Sequence, residues 1–288
     1  MKNNTDKYAA LSPDILAILK DKHTEKPFSG KYCNHTENGT YLCRGCGIAL
    51  FRANNQFHAS CGWPSFDDSI KNNVKAMPDQ DGIRTEIVCG QCAAHLGHVF
   101  HGEQLTTKNT RHCVNSCSLE FVPSLTVTQT EEAIVAGGCF WGVQHLLQSL
   151  KGVLLTEVGY TEGDTSYPTY FQVCSQTTGH VEAVRIVFDT TLLSYEDLIY
   201  YFMEIHDPTQ QNGQGPDRGS QYLSRLYYFN DTQRMIAEKT ICLLIEKNYE
   251  ITTKIKPVSI FWPAEEDHQR YYEKTKQAPY CHQHVKRF

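Results

Sequence analysis

The sequence predicts two domains. One is a mostly β domain of two antiparallel sheets over residues 1–122, the other an α+β, ferredoxin-like sandwich over residues 132–288, with a linker at 123–131. Three observations carry this. The 288 residues are enough for two ordinary domains. The first 125 or so are rich in Gly, Asn, His and Cys with short apolar runs such as IALF and HVF, whereas strand and helix patterns alternate from about Glu132 onward. Between these textures, FVPSLTVTQTEE holds Pro, Ser and Thr with little periodicity, as a connector does.

Taken in order, Ser12-Pro13 before DILAILK reads as an N-cap with Pro at the first helical position. Beyond it the pattern is strands and loops. In the second half AIVAG is a short strand and VQHLLQSLK an amphipathic helix. VLLTEVGY is a strand, and HVEAVRIVFD alternates apolar and polar residues as a half-buried strand should. Ser194 caps YEDLIYYFMEIH, RLYYF is a strand, Asp231 starts the long helix through TICLLIEKNY, and KPVSIFW is a further strand. This order points to a split βαβ arrangement. No internal repeat is visible.

Composition excludes several function classes. With 40% hydrophobic and 20% charged residues and a net charge of −5, the chain reads as a soluble globular protein. It has no basic excess to attract nucleic acid or anionic lipid and no apolar run of membrane-span length. MKNNTDKYAALSPDILAIL lacks the apolar stretch and small-residue cleavage site of a signal peptide, so a cytoplasmic location is expected. In that reducing setting, twelve cysteines imply metal binding and redox chemistry rather than structural disulfides.

The spacings sort these cysteines. Cys43-x-x-Cys46 and Cys89-x-x-Cys92 are two CxxC pairs flanked by Gly45, Gly47 and Gly90. A two-residue gap lets both sulfurs of one turn reach the same ion, and two such turns make a closed tetrahedral site for one structural zinc per chain. The 42 residues between the pairs exceed a usual zinc ribbon, so a sheet must close between them. The alternative is that one pair is a redox CxxC or merely buried thiols.

Two other cysteines sit in nucleophile-like settings. In RHCVNS, Arg111, Cys113 and Asn115 alternate as one strand face would present them, and His95 and His98 lie upstream in HLGHVF. A cation and imidazoles beside a thiol lower its pKa. In GGCFWG, Cys139 follows a strand and opens a helix, where free amides and the macrodipole favour a thiolate. Gly137 and Gly138 permit the tight turn, and Phe140 and Trp141 offer an apolar wall.

The run CxxC, CGWPSF (Cys61 to Phe66), CxxC, HLGHVF and RHCVNSCSLEF resembles zinc-bearing methionine sulfoxide reductase B over about residues 10–122. The resemblance implies that Cys113 is the nucleophile and Cys61 the resolving cysteine. It also implies that His95, His98, Arg111 and Asn115 form the polar shell around the sulfoxide, and that Trp63 walls the substrate methyl group. The acid would be an imidazole, His98 with His95 beside it. Cys117 lies outside the motif and reads as a core residue, with a second resolving role as the alternative.

From about Glu132 onward, GGCFWG, YPTY (Tyr167 to Tyr170), GHVEAV, DRGSQY and a tail holding Cys281 resemble methionine sulfoxide reductase A. Here the resemblance implies Cys139 as nucleophile, Glu182 as a proton donor kept protonated by burial, and Tyr170 and Tyr222 as donors to the sulfoxide oxygen. Asp217 supports the site and Cys281 resolves. Leu223 stands where the family usually has Arg, Glu162-Gly163 replaces a Gly-Gly, and Tyr167 replaces an Asn. No cysteine follows Cys281, which implies a single resolving step.

Together the two resemblances imply reduction of the R epimer by the first domain and the S epimer by the second. Thioredoxin or a similar dithiol is the expected reductant, and oxidised proteins are the expected substrates. Of the remaining cysteines, Cys33, Cys117, Cys174 and Cys242, the last lies in TICLLIE and reads as core. The rival readings are a zinc-stapled redox sensor, which needs no Glu182 or tyrosines, and a general thiol-disulfide oxidoreductase, which would place a CxxC at a helix start.

Overall fold

The computed structural model describes residues 11–124 and 126–288, so the leader reading of residues 1–10 and the linker position 125 lie outside the described residues. The chain divides into two compact units at Thr130/Glu131. Among the described residues no helix is long and apolar enough to cross a membrane.

The first unit contains two antiparallel sheets. In the smaller, Thr40–Cys43 lies between Ala49–Arg52 and Leu119–Val122. The larger has six strands in the order Gln56–Phe57, Ser65–Phe66, Thr110–Val114, His95–His101, Thr85–Cys89, Val74–Pro78. Tyr41, Leu50, Phe51, Phe66, Ile87 and Leu96 fill the core, and the rings of Phe51 and Phe66 stack at 4.5 Å. Each such aromatic removes a large apolar area from water and fixes the packing geometry as well. The helix Pro13–Leu19 packs on the His95–His101 strand. Ser12 occupies its N-cap but makes no side-chain cap bond, so the fixed φ of Pro13 is what starts it.

The second unit is built on one six-stranded sheet, ordered Lys254–Pro257, Arg225–Tyr228, Thr130–Ala136, Val181–Asp189, Val153–Thr161, Trp262–Pro263. The helix Phe140–Leu147 packs on Val153–Thr161 and Val181–Asp189, and Tyr195–Ile205 packs against Asp231–Glu246.

Three sequence expectations are corrected here, and one, that Asp231 starts the long helix, holds with Asn230 added as its cap. Val181–Asp189 is buried at every position, not half-buried. Its polar residues are tolerated because Arg185 pairs with Glu132 at 2.6 Å and with Glu157 at 3.4 Å. The long helix is capped by Asn230, whose side chain accepts from Gln233 N, and Asp231 is its first residue. KPVSIFW is two short strands rather than one, because the chain leaves the Arg225–Tyr228 edge and rejoins the sheet beside Val153–Thr161. Cys242, read as core, is exposed: the apolar stripe of its helix is narrower than the run TICLLIE suggests, with Thr240 and Leu244 facing inward.

Candidate functional sites

The four CxxC sulfurs converge. Cys43 ends Thr40–Cys43 and Cys89 ends Thr85–Cys89, and each strand runs into a tight turn. Gly47 N donates to Cys43 O in the first turn and Ala93 N to Cys89 O in the second. Gly47 (φ 71°) and Ala93 (φ 60°) are the left-handed residues, so the second turn places Ala where the first has Gly, and Gly45 and Gly90 are not the pivots. Cys43 Sγ lies 3.6 Å from Cys92 Sγ and Cys46 Sγ 3.5 Å from Cys89 Sγ, all four buried and within 4.8 Å of one another. Four sulfurs at about 2.3 Å from one ion would stand roughly 3.8 Å apart in a tetrahedron, so the donor set and spacing suit a metal. Hydrogen bonds to its three neighbours, and then burial, push the Cys43 thiol well up, so an all-thiolate cluster needs a cation.

The first reactive pair lies across the larger sheet. Cys113 is in Thr110–Val114, opposite His98 on one side and Ser65 on the other. Cys61, in the loop before Ser65–Phe66, brings its Sγ to 3.9 Å from Cys113 Sγ. Gly97 is required between them and the site: at φ 149° a Cβ there would stand 2.0 Å from Cys113 O. Trp63, His98, Phe100, Cys113 and Asn115 line a cavity of about 120 Å³. Trp63 is held by its indole N–H donating to Glu25 O at 3.1 Å.

The structure alters several of the expected parts. Cys113 is not a lone low-pKa thiol. Its hydrogen bond to Cys61 and its burial push it up, while the same hydrogen bond pulls Cys61 down to about 5. The two sulfurs titrate as one pair. Arg111 stands behind the cavity, gripped bidentately by Glu103 at 2.7 and 2.8 Å and lying over the Phe100 ring, and the cation in the cavity wall is Arg84. Asn115 lines the cavity, but its amide donates to Leu96 O and accepts from Glu25 N. His98 bonds Asp79 Oδ2 at 2.7 Å. His95 is buried behind it, with Nδ1 on Glu86 at 2.7 Å and a buried Nε2 that has no partner. Glu86 is also buried and bonded by Lys22 at 2.7 Å. These carboxylates and Lys22 have no signal in the sequence, since each lies in a strand or loop far from the motif it serves.

The second pair lies at the start of Phe140–Leu147. Cys139 is the N-cap of that helix and is buried. The Cys139 and Cys281 sulfurs and an Asp217 carboxylate oxygen lie within 4.8 Å of one another. The expected low thiol is again corrected. Hydrogen bonding to Cys281 and then burial push Cys139 well up, although the Trp141 and Gly142 amides pull the other way. Glu182 faces this turn, 1% exposed. Its Oε2 accepts from Phe140 N at 3.0 Å while Oε1 has no partner, and burial raises its pKa well above the ordinary carboxylate value.

Phe140 is fully buried, while Trp141 is half-buried and stacks on Tyr271 at 3.8 Å and on Tyr170 at 6.0 Å. Tyr170 and Tyr222 both feel the Glu182 charge, and burial raises both phenols. Tyr280 donates to Asp217 Oδ1 at 3.2 Å.

The departures find local accounts. Glu162 takes the left-handed backbone (φ 74°) that glycine would have. Its carboxylate is anchored by Tyr227 at 2.6 Å, Lys256 at 2.7 Å and Arg225 at 3.2 Å, a network that offsets that strain. Tyr167 (φ 51°) packs edge-on against Trp262. Cys33, Cys117 and Cys174 are half-buried, and nothing in the structure explains Leu223.

Comparison with known proteins agrees with this geometry. Residues 131–288 match the family model of peptide methionine sulfoxide reductase. The chain belongs to the peptide methionine sulfoxide reductase family. Its residues 11–123 match the SelR domain, so this reductase carries a SelR domain fused N-terminal to the first-named one. The reductase domain is similar to peptide methionine sulfoxide reductase MsrA of Natronomonas pharaonis, 46% identical over 54% of this chain and 89% of the relative. The Pasteurella multocida MsrA is 46% identical over 53% of this chain and 88% of its own length. Among solved structures, reduced Mxr1 from Saccharomyces cerevisiae aligns at 30% identity with a TM-score of 0.52, covering 55% of this chain and 93% of that one.

Proposed function

We propose that the chain reduces both epimers of methionine sulfoxide, the R epimer at Cys113 and the S epimer at Cys139. The observation that carries this is that each nucleophile of the two family domains has a second thiol beside it: Cys61 at 3.9 Å from Cys113, and Cys281 within 4.8 Å of Cys139. In each site the nucleophile attacks the sulfoxide sulfur, the S–O oxygen is protonated, methionine leaves, and a sulfenic acid remains. The neighbouring thiol condenses with it to a disulfide and water, and an external dithiol reopens the disulfide by exchange.

At the R site, His98 is the acid with His95 behind it. Trp63 walls the methyl group, Asn115 shapes the cavity, and Arg111 favours the anion from behind. A proton shift from Cys113 to Cys61 puts the charge on the nucleophile. At the S site, Glu182 is the acid, Tyr170 and Tyr222 donate to the sulfoxide oxygen, Asp217 and Tyr280 flank the thiols, and Phe140 and Trp141 wall the pocket. The buried, partnerless Oε1 of Glu182 supports this role, because a protonated carboxyl there still has a hydrogen to donate.

We read the four-cysteine cluster as one structural zinc site, since four thiolates leave no open position. Residues 1–122 and 132–288 are the catalytic domains and 123–131 the connector. The inner strand order Arg225–Tyr228, Thr130–Ala136, Val181–Asp189, Val153–Thr161 supports a ferredoxin-like reading of the second. Thioredoxin or a similar dithiol is the reductant, and oxidised proteins are the substrates. A reducing, cytoplasmic setting suits a chain with four cysteines in a metal-type cluster and two further thiol pairs that must be reopened after each turnover.

An epimer-resolved assay with a blocked methionine sulfoxide tests this. Cys113→Ser removes only R reduction and Cys139→Ser only S reduction. Equal loss of both activities in both variants would overturn the two-site reading.

A further inference from the structure

The C-terminal tail carries a histidine beside the second resolving cysteine, and the fold holds its ring in one tautomer. His282 is 7% exposed and packs against the nucleophile turn. A Cβ added to Gly142 would meet its Nδ1 at 2.3 Å, and one added to Gly138 would meet its Nε2 at 3.2 Å. Nε2 lies 2.7 Å from Gly137 O. A carbonyl only accepts, so Nε2 carries the hydrogen. In a neutral ring Nδ1 then holds a free lone pair, and Nδ1 lies 2.9 Å from Cys281 Sγ. The thiol hydrogen of Cys281 therefore points at a base fixed by a backbone bond to the turn that presents Cys139.

The tail after it is anchored too. The buried Glu204 carboxylate accepts from Arg287 N at 2.8 Å and Phe288 N at 3.1 Å, and Glu204 O accepts from Val285 N at 2.7 Å. The imidazole thus stands on a segment tied down on both sides.

We propose that His282 is the general base of the resolving step at the S site, which rests on the assignment of Cys139 as nucleophile and Cys281 as resolver. As the Cys281 sulfur attacks the sulfenic sulfur of Cys139, Nδ1 takes its proton. The S–S bond forms, the S–O bond breaks, and the hydroxyl leaves as water with the proton His282 accepted. Two thiol-level sulfurs end as one disulfide, the electron pair having gone to the sulfoxide in the preceding step. Burial holds the imidazole below its ordinary value, which keeps it a neutral base at pH 7. The titratable groups that face it are Cys281, Asp217 and His206, while Tyr272 and Tyr280 act on the neighbouring thiols Cys281 and Cys139.

The test is a rapid-mixing experiment on the full chain with the S epimer and no reductant, following methionine release and thiol loss separately. The unmodified chain releases one methionine per S site and then loses two thiols. His282→Gln keeps a donor toward Gly137 O but has no base at the Nδ1 position. It should release methionine at the parent rate and lose thiols about 100-fold more slowly at pH 7, the low end of general-base effects. Its thiol-loss rate should then climb roughly tenfold per pH unit, as hydroxide replaces the missing base. His282→Gln resolving within twofold of the parent, with the parent's pH profile, would overturn the proposal. A second measurement needs no variant: in the parent, thiol loss should slow as acid protonates the imidazole while methionine release does not follow, and a shared profile would equally overturn it. A parent that releases no methionine from the S epimer would instead refute the assignment of Cys139.

Discussion

Cys61 and Cys113 are 52 residues apart in the chain and 3.9 Å apart at their sulfurs. A disulfide needs about 2.05 Å, so a shift of roughly 2 Å closes the bond without refolding the sheet. The pair also shares its protons: one thiol is pulled down to about 5 because the other donates to it. Cys61→Ser should therefore still release one methionine per chain from the R epimer, then stall, with the Cys113 sulfenic acid open to trapping by dimedone. Multiple turnovers with thioredoxin as the sole reductant should be lost. The single-turnover count and the mass of the trapped adduct check this.

Glu182, the proposed acid of the S site, links that role to stability. Its folded pKa is raised by burial, so between the unfolded value and the raised one the folded chain binds more protons than the unfolded chain. Stability contributed at this position is therefore highest at low pH and falls as pH rises above about 4.3. Glu182→Gln removes the titration and keeps an oxygen for Phe140 N. The variant should lose about 10²–10⁴-fold in S-epimer reduction, the range for a missing general acid. It should melt higher than the parent by ~2–4 °C for each kcal/mol gained, a gap that opens as pH rises above about 4.3. R-epimer reduction is the internal control, and calorimetry over pH supplies the second readout.

Removing the proposed zinc from the four-cysteine cluster should affect only one activity. The four cysteines close the Cys43–Gly47 turn onto the Cys89–Ala93 turn, tying the smaller sheet to the larger. A strong chelator, or Cys89→Ser, should abolish R-epimer reduction and expose the Phe51–Phe66 core to proteolysis while S-epimer reduction stays within about twofold. Metal analysis of the untreated chain should give one zinc.

Gly142 sits in the helix Phe140–Leu147, where Ala would ordinarily add about 1 kcal/mol of helix stability. Here a new Cβ would meet His282 Nδ1 at 2.3 Å and Cys281 Sγ at 3.1 Å. Gly142→Ala should therefore keep methionine release and lose at least tenfold in disulfide formation. Quantifying free thiols after one turnover decides it.

Much of the site was legible because its chemistry sits in contiguous runs. RHCVNS and GGCFWG mark the proposed nucleophiles, and the two CxxC pairs mark the four-cysteine cluster. What escaped were partners outside the motifs: Asp79 under His98, Glu86 and Lys22 behind His95, Arg84 in the cavity wall, and His282, which follows Cys281 directly but whose ring is aimed by its bond to the distant Gly137 O. A carboxylate or imidazole in a loop carries no periodic or spacing signal, so only its neighbours reveal it. Cys242 erred the other way, since an apolar run does not say which side of a helix faces in.

The sequence by itself determined the two-part organisation, the two CxxC pairs and the helix-start position of Cys139. These depend on local spacing and on residue chemistry within a few positions. Only the tertiary structure decided which thiols stand together, and that Cys61 rather than Cys113 is the one pulled down. The ionisation of a buried sulfur depends on whichever group the fold brings within about 4 Å, and for Cys113 and Cys139 that group is another thiol.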